Sequence, residues 1–329
     1  MKKSLIALAV VAAAGAASAQ SNVQLYGVAD MYVGSFKNGA PGAQSLTEMR
    51  SGGLARSRWG IKGSEDLGGG LKAIFKLESR IELDRGQLNN ATTMFDRGAY
   101  VGLAGSFGEV TLGRNWTALD DVYGLGNSSF DGSALAITNA VWASAGYNGI
   151  PNNGFKYTAP SFGGFTGAVS YNLDETPGVS TSVTSFNVAY ANGPVAAALG
   201  YQIEGAVNNN DQKFTIINGS YDFGMARLIA SYGAVSDLGN VAGAKSTDYH
   251  IGVDVPLTSA LAISGGYAQS QEKLNGVKGD KTTGFGLAAK YTLSKRTSVY
   301  AGFRDYETKN GGVKTSDNRE FLAGVNHSF

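Results

Sequence analysis

Apolar and polar residues alternate, one for one, along stretch after stretch of this chain, and that period constrains the fold more than any other feature. Phe165, Gly167, Val169, Tyr171 and Leu173 fall on one parity, and Thr166, Ala168, Ser170 and Asn172 on the other. Val195, Ala197, Leu199, Tyr201 and Ile203 share a face in the same way, as do Tyr249, Ile251, Val253 and Val255, and Phe285, Leu287, Ala289 and Tyr291. Side chains of a strand point alternately to its two faces, so period two means strand; an amphipathic helix would space its apolar residues by three and four.

The connections alternate as well. Seven are short (66–70, 105–108, 161–164, 192–193, 222–224, 257–259 and 294–296), and the first five carry Gly or Asn, which supply the positive φ of tight hairpin turns. Eight are longer and polar, about 37–53, 84–96, 115–152, 174–181, 205–211, 236–246, 273–281 and 308–318. Fifteen connections join sixteen strands, an even number that brings both chain ends to one side. Strands of ~9–11 residues cross a bilayer when tilted, and the spacing suits them.

A charged start at Lys2 and Lys3, an apolar run from Leu5 to Ala17 and the small-residue site Ala17-Ser18-Ala19 read as a secretory leader over 1–19, with a single barrel domain over 20–329. The run is too short to anchor the chain as a helix. Without Lys2 and Lys3, 25 basic residues face 26 acidic ones, which excludes the basic excess of a nucleic-acid binder. There are no cysteines, so an exported chain must draw its stability elsewhere, and a continuous hydrogen-bonded ladder is one source. In hydrocarbon every backbone N–H and C=O must be paired, so the sheet must close. The expected fold is an all-β transmembrane antiparallel barrel of about sixteen strands. Phe321, Ala323, Val325, His327 and Phe329 share a parity in its closing strand, and Phe329 is the candidate signal for outer-membrane assembly.

Charge tells the two faces apart. Between Leu71 and Glu82, Leu71, Ala73, Phe75, Leu77 and Ile81 lie on one parity and Lys72, Lys76, Glu78, Arg80 and Glu82 on the other. Each charge facing lipid near midplane would cost about 2–4 kcal/mol, so the charged face sees water. The preceding strand repeats this, with Trp59 and Ile61 outward and Arg56, Arg58 and Lys62 inward, and Arg97 begins the next. Arg56, Arg58, Lys76, Arg80 and Arg97 therefore form an expected basic wall of an aqueous lumen, which either sets ion preference or only solvates the wall and pairs with neighbouring charges, as Lys76 and Glu78 could. The connection over 115–152 is the longest, and Trp116, Tyr123, Phe130, Trp142 and Tyr147 make it too aromatic for a disordered segment. It carries Asp120, Asp121 and Asp131, which either oppose the basic wall or serve only as turn and cap formers. Tyr26, Tyr100, Tyr171, Tyr190, Tyr221, Tyr291 and Tyr300 are candidates for interfacial girdles, with some directed to the lumen.

Five passages resemble the general trimeric porins of Gram-negative bacteria, in the branch typical of neisserial and burkholderial outer membranes. They are VQLYGVAD (Val23 to Asp30), SRWGIKGSEDLGGGLKAIFKLE (Ser57 to Glu78), AYVGLAGSFGEVTLGR (Ala99 to Arg114), KYTAPSFGGF (Lys156 to Phe165) and the terminal VNHSF. The resemblance implies a homotrimer in outer-membrane lipid, a third external loop folded into each lumen, and passive passage of ions and small hydrophilic solutes. It places Arg58 and Arg97 at the constriction. Related chains often carry a further arginine shortly before the Asn-Asn of the sixth strand; here Ile150 holds that place, which weakens any implied anion preference.

No catalytic constellation stands out. His250 and His327 are the only histidines, neither with a nucleophile motif, and no Cys/His spacing suits a metal. Gly68 to Gly70 lacks the Lys-Ser/Thr of a phosphate loop. No cofactor is expected. A barrel enzyme of the outer membrane, a plugged adhesin-like barrel and a solute-specific channel are the competing readings.

Overall fold

The computed structural model describes residues 22–37 and 39–329. The expected leader, 1–19, lies outside them. Sixteen strands form the wall. β1 (Asn22–Lys37) is followed by β2, which runs in two pieces (Leu46–Ser51 and Arg58–Gly68), both paired with β1. Then come β3 (Leu71–Glu82), β4 (Gly98–Gly105), β5 (Gly108–Arg114), β6 (Gly154–Thr158), β7 (Phe165–Asn172) and β8 (Val183–Asn192). The second half comprises β9 (Val195–Glu204), β10 (Gln212–Asp222), β11 (Arg227–Ser236), β12 (Ala244–Pro256), β13 (Leu261–Leu274), β14 (Val277–Thr292), β15 (Thr297–Asn310) and β16 (Val313–Ser328). A two-residue strand, Gln87–Leu88, pairs only with the end of β3 and stands outside the wall.

Every strand is antiparallel to the next, and β16 closes on β1 from Val28↔Ser328 to Lys37↔Arg319. Phe329 extends the seam: its backbone exchanges two 3.1 Å hydrogen bonds with Gly27. No edge is left, which is the condition for a sheet in hydrocarbon. The alternation read from sequence is the alternation of the two faces. Leu25, Val101, Leu112, Val169, Val188, Ile251 and Leu287 are exposed outward, while Asp30, Ser185, Asp248 and Glu320 are buried inward. Tyr171, Tyr221 and Tyr291 are exposed on the outside. Tyr300 is instead buried and donates to Asp30 (2.5 Å), and Tyr26 donates to Glu78 (2.8 Å), so these two leave the girdle for the interior.

Three of the expected long loops are different in the structure. β13 and β14 run on to a two-residue turn at Asn275-Gly276, and β15 and β16 to one at Gly311-Gly312. All four turn residues have positive φ (51°, 84°, 56° and 88°), the conformation that Asn-Gly and Gly-Gly adopt in tight hairpins. The polar residues flanking these turns read as loop because the strands there outrun the membrane and lose their apolar face. The third difference is at 37–53, where the loop is shorter than expected. β2 starts at Leu46 and is interrupted at residues 52–57, which bulge inward over Asp30. That carboxylate accepts from the Gly53, Leu54 and Ala55 amides (2.9, 3.1 and 2.9 Å).

Candidate functional site

Strand register brings the basic residues together in an order that sequence parity cannot supply. Arg58 of β2 lies directly across from Arg80 of β3, and Lys62 across from Lys76. Like charges so placed repel. The counter-charge is Glu78, only 3% exposed. Its Oε1 accepts from Arg97 Nε at 2.9 Å. Its Oε2 accepts from the Tyr26 hydroxyl and lies 3.3 Å from Lys76 Nζ and 3.6 Å from Arg58 Nε. One carboxylate thus orients three cations, from β2, from β3 and from the residue just before β4. Asp96 plays a similar part for Arg80, accepting its backbone N–H at 2.8 Å with Nε 3.9 Å away. The Arg97 guanidinium also stands over the Trp116 ring, 5.1 Å from its centroid.

Four of the five expected basic residues, Arg56, Arg58, Arg80 and Arg97, line one cavity of about 910 Å3. Lys76 does not. It lines an adjoining cavity of about 390 Å3 with Lys156 and Asp121. The expected patch is therefore divided, because Lys76 lies four residues before Arg80 on β3.

The opposite side of the large cavity is the segment 115–153. It holds two short helices, α1 (Asp120–Tyr123) and α2 (Thr138–Val141), and lies against inward side chains of the strands. Ser170, Ser185 and Ser264 accept from the amides of Ala118 (3.1 Å), Leu119 (2.7 Å) and Ser129 (2.6 Å). Asn218 donates to Val122 O (2.6 Å), Ser231 to Gly126 O (2.8 Å), and Asp248 accepts from Ser144 (2.8 Å). Beneath it Leu119, Ile137, Val141 and Trp142 pack on Phe214, Ile216 and Val235 as an apolar cluster. Leu135 seats against Gly302, where a Cβ would collide with its Cδ2. The segment thus rests on the wall whose lumen face carries Ser, Asn and Gly, and looks across at the wall that carries Arg.

Asp120, Asp121 and Asp131 all line the large cavity. Each is held: Asp120 accepts from Tyr147 (2.6 Å), Asp121 from Lys156 (2.6 Å) and Asp131 from Asn127 (2.7 Å). Burial pushes the Asp120 carboxyl up to about 6, against the opposing effect of the Tyr147 hydroxyl. Ser129, Phe130 and Asp131 are three consecutive non-glycine residues in the left-handed region (φ 57°, 62° and 50°), at a cost of about 1–3 kcal/mol each. The surrounding bonds hold them there. Sequence reasoning missed Arg304, which lines the same cavity, pairs with Glu320 and donates to Ala136 O (3.2 Å). Its signal was present as a lone arginine on the lumen parity of β15.

His250 is buried, and its Nε2 lies 3.0 Å from Ser128 Oγ. The contact has the atoms of a nucleophile and base, but Nδ1 has no partner and the pair is covered by the segment itself. It ties the segment to β12. No group of metal-ligating side chains occurs among the described residues.

A closed barrel with an apolar exterior and a charged, water-facing interior defines an outer-membrane channel. The chain belongs to the Gram-negative porin family, whose model matches residues 5–311. It is 38% identical over 287 residues to outer membrane porin protein 32 of Delftia acidovorans, covering 83% of this chain and 81% of that one. It is 32% identical to the major outer membrane protein P.IB of Neisseria meningitidis serogroup B over 184 residues, 54% and 51% of the two chains. Among solved structures, an anion-selective porin from Comamonas acidovorans superposes with a TM-score of 0.80 at 30% identity, over 94% of this chain and all of that one.

Proposed function

We propose that this porin passes ions and small hydrophilic solutes by passive diffusion through a constriction with walls of opposite charge. The observation that carries the reading is the large cavity. Five arginines (Arg56, Arg58, Arg80, Arg97 and Arg304) line it, together with the three loop carboxylates Asp120, Asp121 and Asp131. A polar solute entering such a gap orients in the transverse field, and the side-chain charges set ion preference. The excess of guanidinium over carboxylate supports a modest anion preference, the sign named for the Comamonas structure. The buried counter-charges Glu78, Asp96 and Glu320 moderate it. We further propose a leader over 1–19 followed by one barrel domain, assembly as a homotrimer, Phe329 as assembly signal, and no catalytic role.

The test is single-channel recording in planar bilayers with a salt gradient. Conductance should appear in steps, in threes for a trimer, and Arg58→Glu with Arg97→Glu should move the reversal potential toward cations. No stepwise conductance would remove the channel reading, and an unmoved reversal potential would remove these residues from ion selection.

A further inference from the structure

One large apolar side chain of the inward segment is left uncovered in the lumen. Leu119, Val122, Leu135, Ile137, Val141 and Trp142 are all buried, but Leu125 is 49% exposed. It lies in the turn Gly124–Gly126 and lines the large cavity, the adjoining one of about 390 Å3, and a third of about 280 Å3 toward the short periplasmic turns. In that third cavity the lumen parity carries alanine where Ser185 and Asn187 stand higher on β8: Ala189 faces Ala198 of β9, and Ala191 faces Ala196. Apolar surface in a water-filled passage gains free energy when a solute covers it. The cavity of about 390 Å3 supplies polar groups beside this patch, with Lys76, Glu109 and Lys156 in its lining next to Trp116. Lys156 Nζ gives one N–H to Asp121 (2.6 Å), and Lys76 Nζ stands 3.3 Å from Glu78, so both ammoniums keep donors to spare. Glu109 forms no ion pair among the described residues. On the ladder it faces Thr158, and Lys156 stands two residues further on the same face, so the two side chains root roughly 7–8 Å apart. One unpaired carboxylate and the spare donors of two ammoniums thus open into the same space.

We propose, on the reading of the lumen as an open channel, that this region is a binding site for a zwitterionic α-amino acid with a large apolar side chain. The solute carboxylate accepts from Lys76 and Lys156, its ammonium donates to Glu109, and its side chain covers Leu125 and the facing alanines. Either charge alone fits worse. A carboxylate without an ammonium leaves Glu109 uncompensated beside it, and an amine without a carboxylate adds a third cation next to two lysines. A zwitterion without the side chain leaves Leu125 in water.

The experiment records current interruptions in single channels of the purified protein, with solute added to both sides of the bilayer. The solutes are L-phenylalanine, glycine, 3-phenylpropionate, which lacks the ammonium, and 2-phenylethylamine, which lacks the carboxylate. L-phenylalanine should half-saturate the interruptions at a concentration about tenfold below the other three, the gain expected from covering one large apolar side chain. Leu125→Ser should bring L-phenylalanine to the level of glycine. Glu109→Gln, which lies on the wall and leaves the segment in place, should make L-phenylalanine and 3-phenylpropionate equal, and so keeps the test valid if Leu125→Ser shifts the segment. Equal response to all four solutes, or an L-phenylalanine response that neither variant changes, overturns the site. 3-phenylpropionate acting as strongly as L-phenylalanine on the unmodified channel overturns the zwitterion. Stepwise conductance without interruption by L-phenylalanine overturns this site and leaves the channel standing. If no conductance appears, the channel reading falls, and calorimetric titration of the same protein with the four solutes decides the site by the same ranking.

Discussion

Glu78→Gln tests the constriction through the one residue that organises it. The substitution keeps the side chain's shape and leaves an amide oxygen to accept from Arg97 or Tyr26, but it removes the charge that faces Arg58, Lys76 and Arg97 at 3.6, 3.3 and 2.9 Å. A unit charge acting on a permeating ion about 8 Å away is worth about 0.5 kcal/mol in water, and about 0.2 kcal/mol once screened at 0.1 M salt. Anions and cations respond with opposite sign, so the anion-to-cation permeability ratio should rise about two- to six-fold. The assay is the reversal potential of single channels in a salt gradient. The shift should shrink in 1 M salt, where the Debye length is about 3 Å, and Glu78→Asp should restore the wild-type value. A channel of normal conductance with an unchanged reversal potential, or one moved toward cations, would refute the assignment of this carboxylate to the field of the pore.

Further expectations concern the loop and the seam. Because the Asp120 carboxyl is raised to about 6, it is mostly ionised at pH 7 and mostly neutral at pH 5, so anion preference should increase as pH falls through 6, and Asp120→Asn should flatten that profile. The same shift has a stability sign: the folded state holds this proton more tightly than the unfolded chain. Its contribution is therefore complete below the ordinary value of 3.8 and lost as pH rises through about 6, which Asp120→Asn thermal melts over that range would check. Leu135, 1% exposed, anchors the loop against Gly302, so Leu135→Ala should cost about 2–5 kcal/mol of local stability and give a noisier open current at constant voltage. Phe329→Ala removes the ring that packs over Gly27 beside the closing seam, and the assembled, heat-modifiable fraction after refolding into lipid should fall; an undiminished fraction would exclude the ring from assembly.

The sequence by itself determined the barrel, because alternation is local: each strand reports its own two faces, and hydrocarbon outside leaves closure as the only solution for the backbone. It also put the charges of β2 and β3 on the face that sees water. What a single strand cannot report is who stands opposite whom. Register and stagger place Glu78 among Tyr26, Arg58, Lys76 and Arg97, carry Lys76 into a different cavity from Arg80, and bring Arg304 of β15 to the same opening as Arg56. A slip of one residue in any pairing would exchange lumen and lipid faces, so those neighbours exist only once the whole sheet has closed. The long aromatic loop was legible as something that must pack; where it packs was decided by space, with Leu135 seated against Gly302 beside Tyr32, Phe36 and Tyr300.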